Sequence, residues 1–295
     1  MAATISSLFS AFNKEIIVTE STLSTVDYRW IRIRNILNQF YYGYDKSGTG
    51  LFVGSIGRKT DIHTSDVDVV YMLPDSKYTQ FNGYISNGQQ ALLQEFRGAI
   101  LATYPQTVIK ADGLVVVVAF SDGIRFEIMP AFKQTNFSFI FPVSNSGGSW
   151  RTTNPLAEIV AMNDVHTVTN RNAKKLARMV RAWKEYNSVS MGGLQIDTYV
   201  ERFIKNYEHG GKSYTYYDWM TRDFFKFLSN QNDAAAYILA LGSNQQVYQY
   251  GKFCQKANRA YELAIQADVS FTKGYQQAAV SYWKEIYGTK FKYAE

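Results

Sequence analysis

Cysteine is almost missing: the 295 residues hold one, Cys254. A lone cysteine excludes an intrachain disulfide, and between Phe253 and Gln255 it reads as a small buried hydrophobe. Histidine is scarce too. His63, His166 and His209 stand far apart, and without a Cys/His cluster nothing suggests zinc. No segment reaches the roughly 18 apolar residues that span a bilayer, so no membrane partner is expected. The opening stretch MAATISSLFSAFNKE carries neither a basic n-region nor a long apolar h-region, which argues against a signal peptide. With the low thiol content, this points to a reducing, cytoplasmic setting. Basic tails, repeats and low-complexity tracts are also absent. The net charge of +6 suits an anionic ligand without demanding nucleic acid.

What is present is the composition of a folded chain, 46% hydrophobic and 19% charged. The length suits one bilobal unit or two domains. Aromatics make up 16%, with 22 tyrosines, most of them expected in or beside the core.

Residues 53–69, VGSIGRKTDIHTSDVDV, are the most informative stretch. Asp66 and Asp68 flank Val67 at the head of an apolar run through Tyr71 that reads as a buried strand. Alternation along a strand puts both carboxylates on one face. Side by side they repel unless a cation sits between them, and Mg²⁺ takes carboxylate and phosphate oxygens. Upstream, Gly54 permits a close backbone approach, and Ser55 adds a hydroxyl and an amide near a phosphate. Metal and phosphate cradle together imply a nucleoside triphosphate.

Helical spacing predicts a short amphipathic helix over 4–16 and a longer one started by Thr19, with Val26, Trp30, Ile33, Leu37 and Phe40 on its apolar face. Another helix is expected over 86–104. Pro74-Asp75 breaks the aspartate strand. The run from Leu114 to Phe120, the turn Ser121-Asp122-Gly123 and the run from Ile124 to Met129 predict a hairpin. Its returning strand places Glu127 beside Arg125 on one face, with Phe126 and Ile128 on the other. Glu127 among apolar residues is costly unless it pairs with Arg125 or joins Asp66 and Asp68 as a third ligand. Three carboxylates can hold the two metals of a phosphoryl-transfer site. Residues 130–152 read as irregular, and 156–295 as helices, among them 246–268 and 271–287.

The clearest amphipathic helix is 172–187, with Leu176, Met179, Val180 and Trp183 apolar and Lys174, Arg178 and Arg181 aligned in a basic stripe. Such a stripe is either a solvated face or a set of cations that reach a triphosphate. Arg181 and Lys184, flanking Trp183, are the best placed of these by motif.

Taken together, the GSIGRKTDI…SDVDVV block, the GIRFEIMPAF strand, the GGSWRTTNP segment and the RMVRAWKEYN…GGLQIDTYV helices resemble the bacterial CD-NTases. These are cyclic-oligonucleotide synthases related to cyclic GMP–AMP synthase, within the DNA polymerase β-like nucleotidyltransferase superfamily. The resemblance covers nearly the whole chain. It implies an α+β, bilobal nucleotidyltransferase fold, with a mixed-sheet catalytic core and N-terminal helix over 1–152 and a helical lobe over 153–295 that closes the nucleotide cleft. It implies Asp66, Asp68 and Glu127 as a triad holding two Mg²⁺, or Mn²⁺ in their place, and Gly54 and Ser55 as the triphosphate turn. It implies Arg181 where relatives often carry a phosphate-contacting lysine. Relatives also carry a serine pair on the next helix, where this chain reads Ile196-Asp197-Thr198-Tyr199. Base choice would come from the region between Phe139 and Trp150, where an aromatic could stack on a base.

The function implied is two-metal joining of NTPs into a cyclic di- or trinucleotide, with pyrophosphate released. The product would activate a separate effector in anti-phage (CBASS) signalling, the resemblance leaves room for a regulatory partner, and no stable nucleic acid partner is expected. An RNA-end or small-molecule nucleotidyltransferase and a catalytically inactive nucleotide-binding module are the competing readings. The first would need an RNA-gripping region, which the sequence does not show; the intact carboxylates count against the last.

Overall fold

A computed structural model describes residues 4–62 and 66–292. His63 lies outside them. The chain opens with α1 (Ile5–Glu15), whose end is closed reciprocally by Thr4 and Ser7. Next comes α2 (Glu20–Tyr42), begun by Thr19, whose hydroxyl accepts from the Thr22 amide at 3.2 Å, and ended by left-handed Gly43. Both helices follow the apolar spacing of the sequence, except that Phe40, expected on the apolar face of α2, is 53% exposed. β1 (Gly50–Phe52) and the short α3 (Gly54–Arg58) precede β2 (Val67–Met72). Pro74 does more than end that strand, because it sits at the N-cap of α4 (Asp75–Asn82), a helix the sequence reading missed. Then follow α5 (Gly88–Leu101), β3 (Val108–Asp112), β4 (Val115–Ala119) and β5 (Arg125–Lys133). The expected hairpin joins β4 to β5. Gly123 supplies its positive φ of 91°, and Asp122 accepts from both terminal nitrogens of Arg29 on α2 at 2.8 Å each.

Residues 130–152, expected to be irregular, instead finish β5 and form β6 (Phe139–Val143) and β7 (Ser149–Thr153). The reason is alternation: Phe139, Phe141 and Val143 point into one apolar cluster with Val53, Val70 and Ala131. The rest of the chain holds α6 (Pro155–Val168), α7 (Ala173–Tyr186), α8 (Gly193–Ile204), α9 (Tyr217–Ser229), β8 (Tyr237–Leu239), β9 (Gln246–Tyr248), α10 (Cys254–Thr272) and α11 (Gln276–Tyr287). The β8–β9 hairpin corrects the helix expected from 246. Its turn takes left-handed Gly242 and Asn244, and the helix starts only at Cys254. Cys254 is half-buried rather than a core residue, and its thiol donates to the Gln231 carbonyl at 3.0 Å.

The main sheet runs β1-β2-β5-β4-β3, with β6 paired to β5 and β7 to β6. β2 and β5 are parallel, and the other pairings are antiparallel. One face packs Val67, Val69, Tyr71, Phe126 and Ile128 against Val26, Trp30, Ile33 and Leu37 of α2 and Leu92, Leu93 and Phe96 of α5. That leaves Asp68, Val70 and Glu127 on the other face.

The chain divides into two compact units, but not at residue 152. One takes the described residues through Ile17, those from Lys59 to Ile62, and those from Val160 onward; the other takes Val18–Arg58 and the described residues from Asp66 to Ile159. The reason α1 departs from the sheet-bearing unit is burial. Phe9 and Phe12 are fully buried, in a cluster with Trp183, Trp283 and Phe291. At roughly 1.5–3 kcal/mol for each such side chain, that outweighs proximity along the chain.

Candidate active site

In the sheet-bearing unit, register brings the acidic residues together. Parallel pairing sets Asp68 of β2 directly beside Glu127 of β5. Asp66, exposed, precedes β2 by one residue and shares the parity of Asp68. Burial first, then repulsion by Glu127 and Asp66, pushes the Asp68 carboxyl up to about 6. Arg58 and Arg125 pull it the other way without cancelling the shift. Arg125 also pairs directly with Glu127. Among the described residues no three Asp, Glu, His or Cys side chains form a ready-made ligand set. The proximity is therefore that of an acidic patch in which Glu127 already has a cationic partner.

Two features of this patch fit a divalent cation. Its donors are all carboxylate oxygens, which suit hard Mg²⁺, and Asp68 is short of positive charge. Gly54 opens α3 with φ +59°, and any Cβ there would overlap the Asp68 carboxylate. Glycine is therefore required twice at one position, by conformation and by space. Ser55 follows it, half-buried, with the Val53 amide donating to the Asp68 carbonyl at 2.9 Å to hold turn and strand together. Arg58 escaped the sequence reading. It is 3% exposed and pairs with buried Glu158 at 3.2 Å.

In the helical unit the basic stripe of α7 is not a solvated face. Lys174 and Arg181 are each 5% exposed. Lys174 donates to the Asn163 side-chain carbonyl at 2.6 Å, and burial lowers its pKa to about 8. Arg181, expected to touch phosphate, instead forks onto Asp197 of α8 at 2.6 and 2.8 Å and donates to the Gly193 carbonyl at 3.0 Å. Asp197 is fully buried and also accepts from Thr60 at 3.0 Å. Arg181 is thus a structural ion pair with its donors already engaged. The departure at 196–199 is its cause, since Asp197 supplies the counter-charge. Arg178, half-buried one turn earlier, senses the field of Asp61 but makes no hydrogen bond or ion pair among the described residues. Lys184 is half-buried, and its ammonium likewise has no hydrogen-bond partner among them.

The aromatics between 139 and 150 are all engaged in packing. Phe139 and Phe141 are buried, and Trp150 donates to Asn82 at 3.0 Å while its ring lies 4.9 Å from that of Tyr78.

Residues 3–166 match the family described as the Second Messenger Oligonucleotide or Dinucleotide Synthetase domain, SMODS. The chain belongs to this family. Solved CD-NTases share the fold of nearly the whole chain. The Vibrio cholerae DncV cyclic AMP-GMP synthase matches with a TM-score of 0.74 at 10% identity, over 98% of this chain and 97% of its own. CdnC of E. coli MS115-1, solved with ATP, matches at 0.71 and 15%, over 97% and 98%. The Bradyrhizobium diazoefficiens CD-NTase CdnG, in complex with GTP, matches at 0.66 and 9%, over 98% and 96%. Comparison with curated proteins gave no match. The α+β nucleotidyltransferase fold expected from the sequence, with its long helix near the N-terminus, is therefore the observed one. Among the described residues no helix is long and apolar enough to cross a membrane.

Proposed function

We propose that this SMODS chain joins nucleoside triphosphates into a cyclic di- or trinucleotide, releasing pyrophosphate, and that a separate effector reads the product in anti-phage signalling. The observation that carries the reading is the pairing of Asp68 with Glu127 in parallel register, with Asp66 one residue before the strand at the parity of Asp68. Asp66, Asp68 and Glu127 would hold two divalent cations, Mg²⁺ or Mn²⁺, which when bound supply charge neutralisation and polarisation at a transferring phosphate. Gly54 keeps the space over Asp68 free of a side chain, and Ser55 offers its hydroxyl and amide to a triphosphate oxygen. Asp68 must be ionised to serve, and a divalent cation beside it favours that form against the burial that raises its carboxyl. Arg125 holds Glu127 until a stronger positive charge competes for the carboxylate. Among the α7 cations Arg178, rather than Arg181, is free to take an anionic ligand, because its guanidinium is uncommitted whereas Arg181 is bound on both arms. Lys184 is the second such cation.

Incubation with four labelled NTPs and Mg²⁺ or Mn²⁺, followed by phosphatase, tests the reading. A phosphatase-resistant product whose mass is that of a ring supports it. A ladder extended on RNA, or no product with either metal, counts against it.

A further inference from the structure

The parallel pair β2–β5 has a second end. Asp68 and Glu127 lie near the start of the two strands, whereas Met72 and Lys133 close them. From Asp68 to Met72 is four residues, about 13 Å along the strand. At that far end a cavity of about 410 Å³ opens within the sheet-bearing unit, lined among others by Tyr42, Lys46, Thr49, Met72, Asp75 and Lys133. The volume is that of a small-molecule pocket.

Its chemistry selects the ligand. Two lysines face one aspartate, Asp75, so the lining carries an excess positive charge. Among the described residues neither lysine ammonium has a carboxylate within ion-pair distance. Each rests on an aromatic ring instead, Lys46 at 4.1 Å from the Tyr42 centroid and Lys133 at 5.2 Å from that of Phe137. The walls are held without using those charges. The Met72 amide donates to the Thr49 carbonyl at 2.7 Å, and the Tyr42 hydroxyl donates to the Met72 carbonyl at 3.0 Å. Two ammonium groups without a carboxylate partner offer point charges to a phosphate, and Tyr42 is the aromatic side chain of the lining.

We infer that this cavity is a second ligand site, for a phosphorylated small molecule of mononucleotide size, built at the opposite end of β2–β5 from the carboxylates. The phosphate lies between Lys46 and Lys133, and the base lies on the Tyr42 side.

The test is calorimetric titration of AMP into the Asp66→Asn/Asp68→Asn protein, in which the cation site is disabled. Binding is expected there, and adding Lys46→Ala/Lys133→Ala should weaken it at least tenfold, with Lys46→Arg/Lys133→Arg restoring it. Adenosine and inorganic phosphate should each bind at least tenfold more weakly than AMP. No AMP binding in the starting protein, unchanged affinity in the alanine variant with an unaltered circular-dichroism spectrum, or affinity lost on Arg178→Ala instead would each overturn the proposal. Inorganic phosphate binding as tightly as AMP would overturn the mononucleotide class. Because no product is measured, failure here leaves the reading of nucleotidyl transfer standing, and that reading's failure leaves this site standing.

Discussion

Two charged clusters in this chain are opposites. Around Asp68, three carboxylates share one patch, and burial plus mutual repulsion lift Asp68 to about 6 despite two arginines nearby. Around Asp197, a more deeply buried carboxylate is bidentately held by Arg181 and bonded to Thr60. The first cluster is left short of countercharge; the second neutralises itself. A buried ion pair contributes little net stability, yet removing one partner strands the other at a cost of about 3–5 kcal/mol. The difference separates a carboxylate left short of countercharge from one that holds the fold, and it takes Arg181 out of the set of α7 cations with free donors.

The sharpest way to break that contrast is to neutralise each cluster. Asp66→Asn with Asp68→Asn should abolish product while leaving the melting temperature unchanged or raised, since repulsion is relieved. Full activity in the purified double variant would remove the metal assignment. Glu127→Gln should keep metal-dependent NTP binding, read by calorimetry, and lose turnover by on the order of 10²-fold. Absence of NTP binding would contradict a role confined to turnover. Asp197→Ala should do the reverse of the first change. It strands buried Arg181 and should lower the melting temperature by on the order of 10 °C, any activity loss following the unfolded fraction. Arg178→Ala should leave the melting temperature nearly unchanged and raise KM for NTP about tenfold, the size of one charge-assisted hydrogen bond. If Arg181→Ala shows that KM effect and Arg178→Ala the thermal one, the two arginines have been assigned the wrong way round.

The sequence made the patch legible and the pair illegible for the same physical reason. Alternation at Asp66, Val67 and Asp68 and at Arg125, Phe126 and Glu127 is local, so parity alone tells which side chains share a face. Whether Glu127 lies beside Asp68 depends on strand register, which only the fold supplies. Arg181 and Asp197 stand on different helices, and nothing in helical periodicity reveals that they meet. The strands of 139–153 were hidden because they extend β5 at its far end, where pairing partners and not propensity decide. α1 was read correctly as a helix, but its place with the helical unit depends on Phe9 and Phe12 meeting rings from the far end of the chain.

A third acidic site tests the contrast at its smallest scale. Burial raises both Asp218 of α9, 8% exposed, and its neighbour Asp268 of α10 above the ordinary carboxylate range. Arg222 reaches Asp268 at 2.7 Å and Asp223 at 2.8 Å, and the Trp219 amide donates to Asp218 at 2.9 Å. Burial first, and then the charge of Asp268, push Asp218 up to about 7. A carboxyl raised above its unfolded value binds more protons folded than unfolded between the ordinary carboxylate range and that value. Stability should therefore fall as pH rises through this window and level off above about 7, with Asp68 adding a slope of the same sign that ends near 6. Asp218→Asn keeps the shape of the side chain and removes its titration. Melting temperatures at pH 5, 6 and 8 should fall less between 6 and 8 in the variant than in the parent. An identical fall would mean that Asp218 is not held protonated in the fold, and the site would then belong with Asp197 rather than with Asp68.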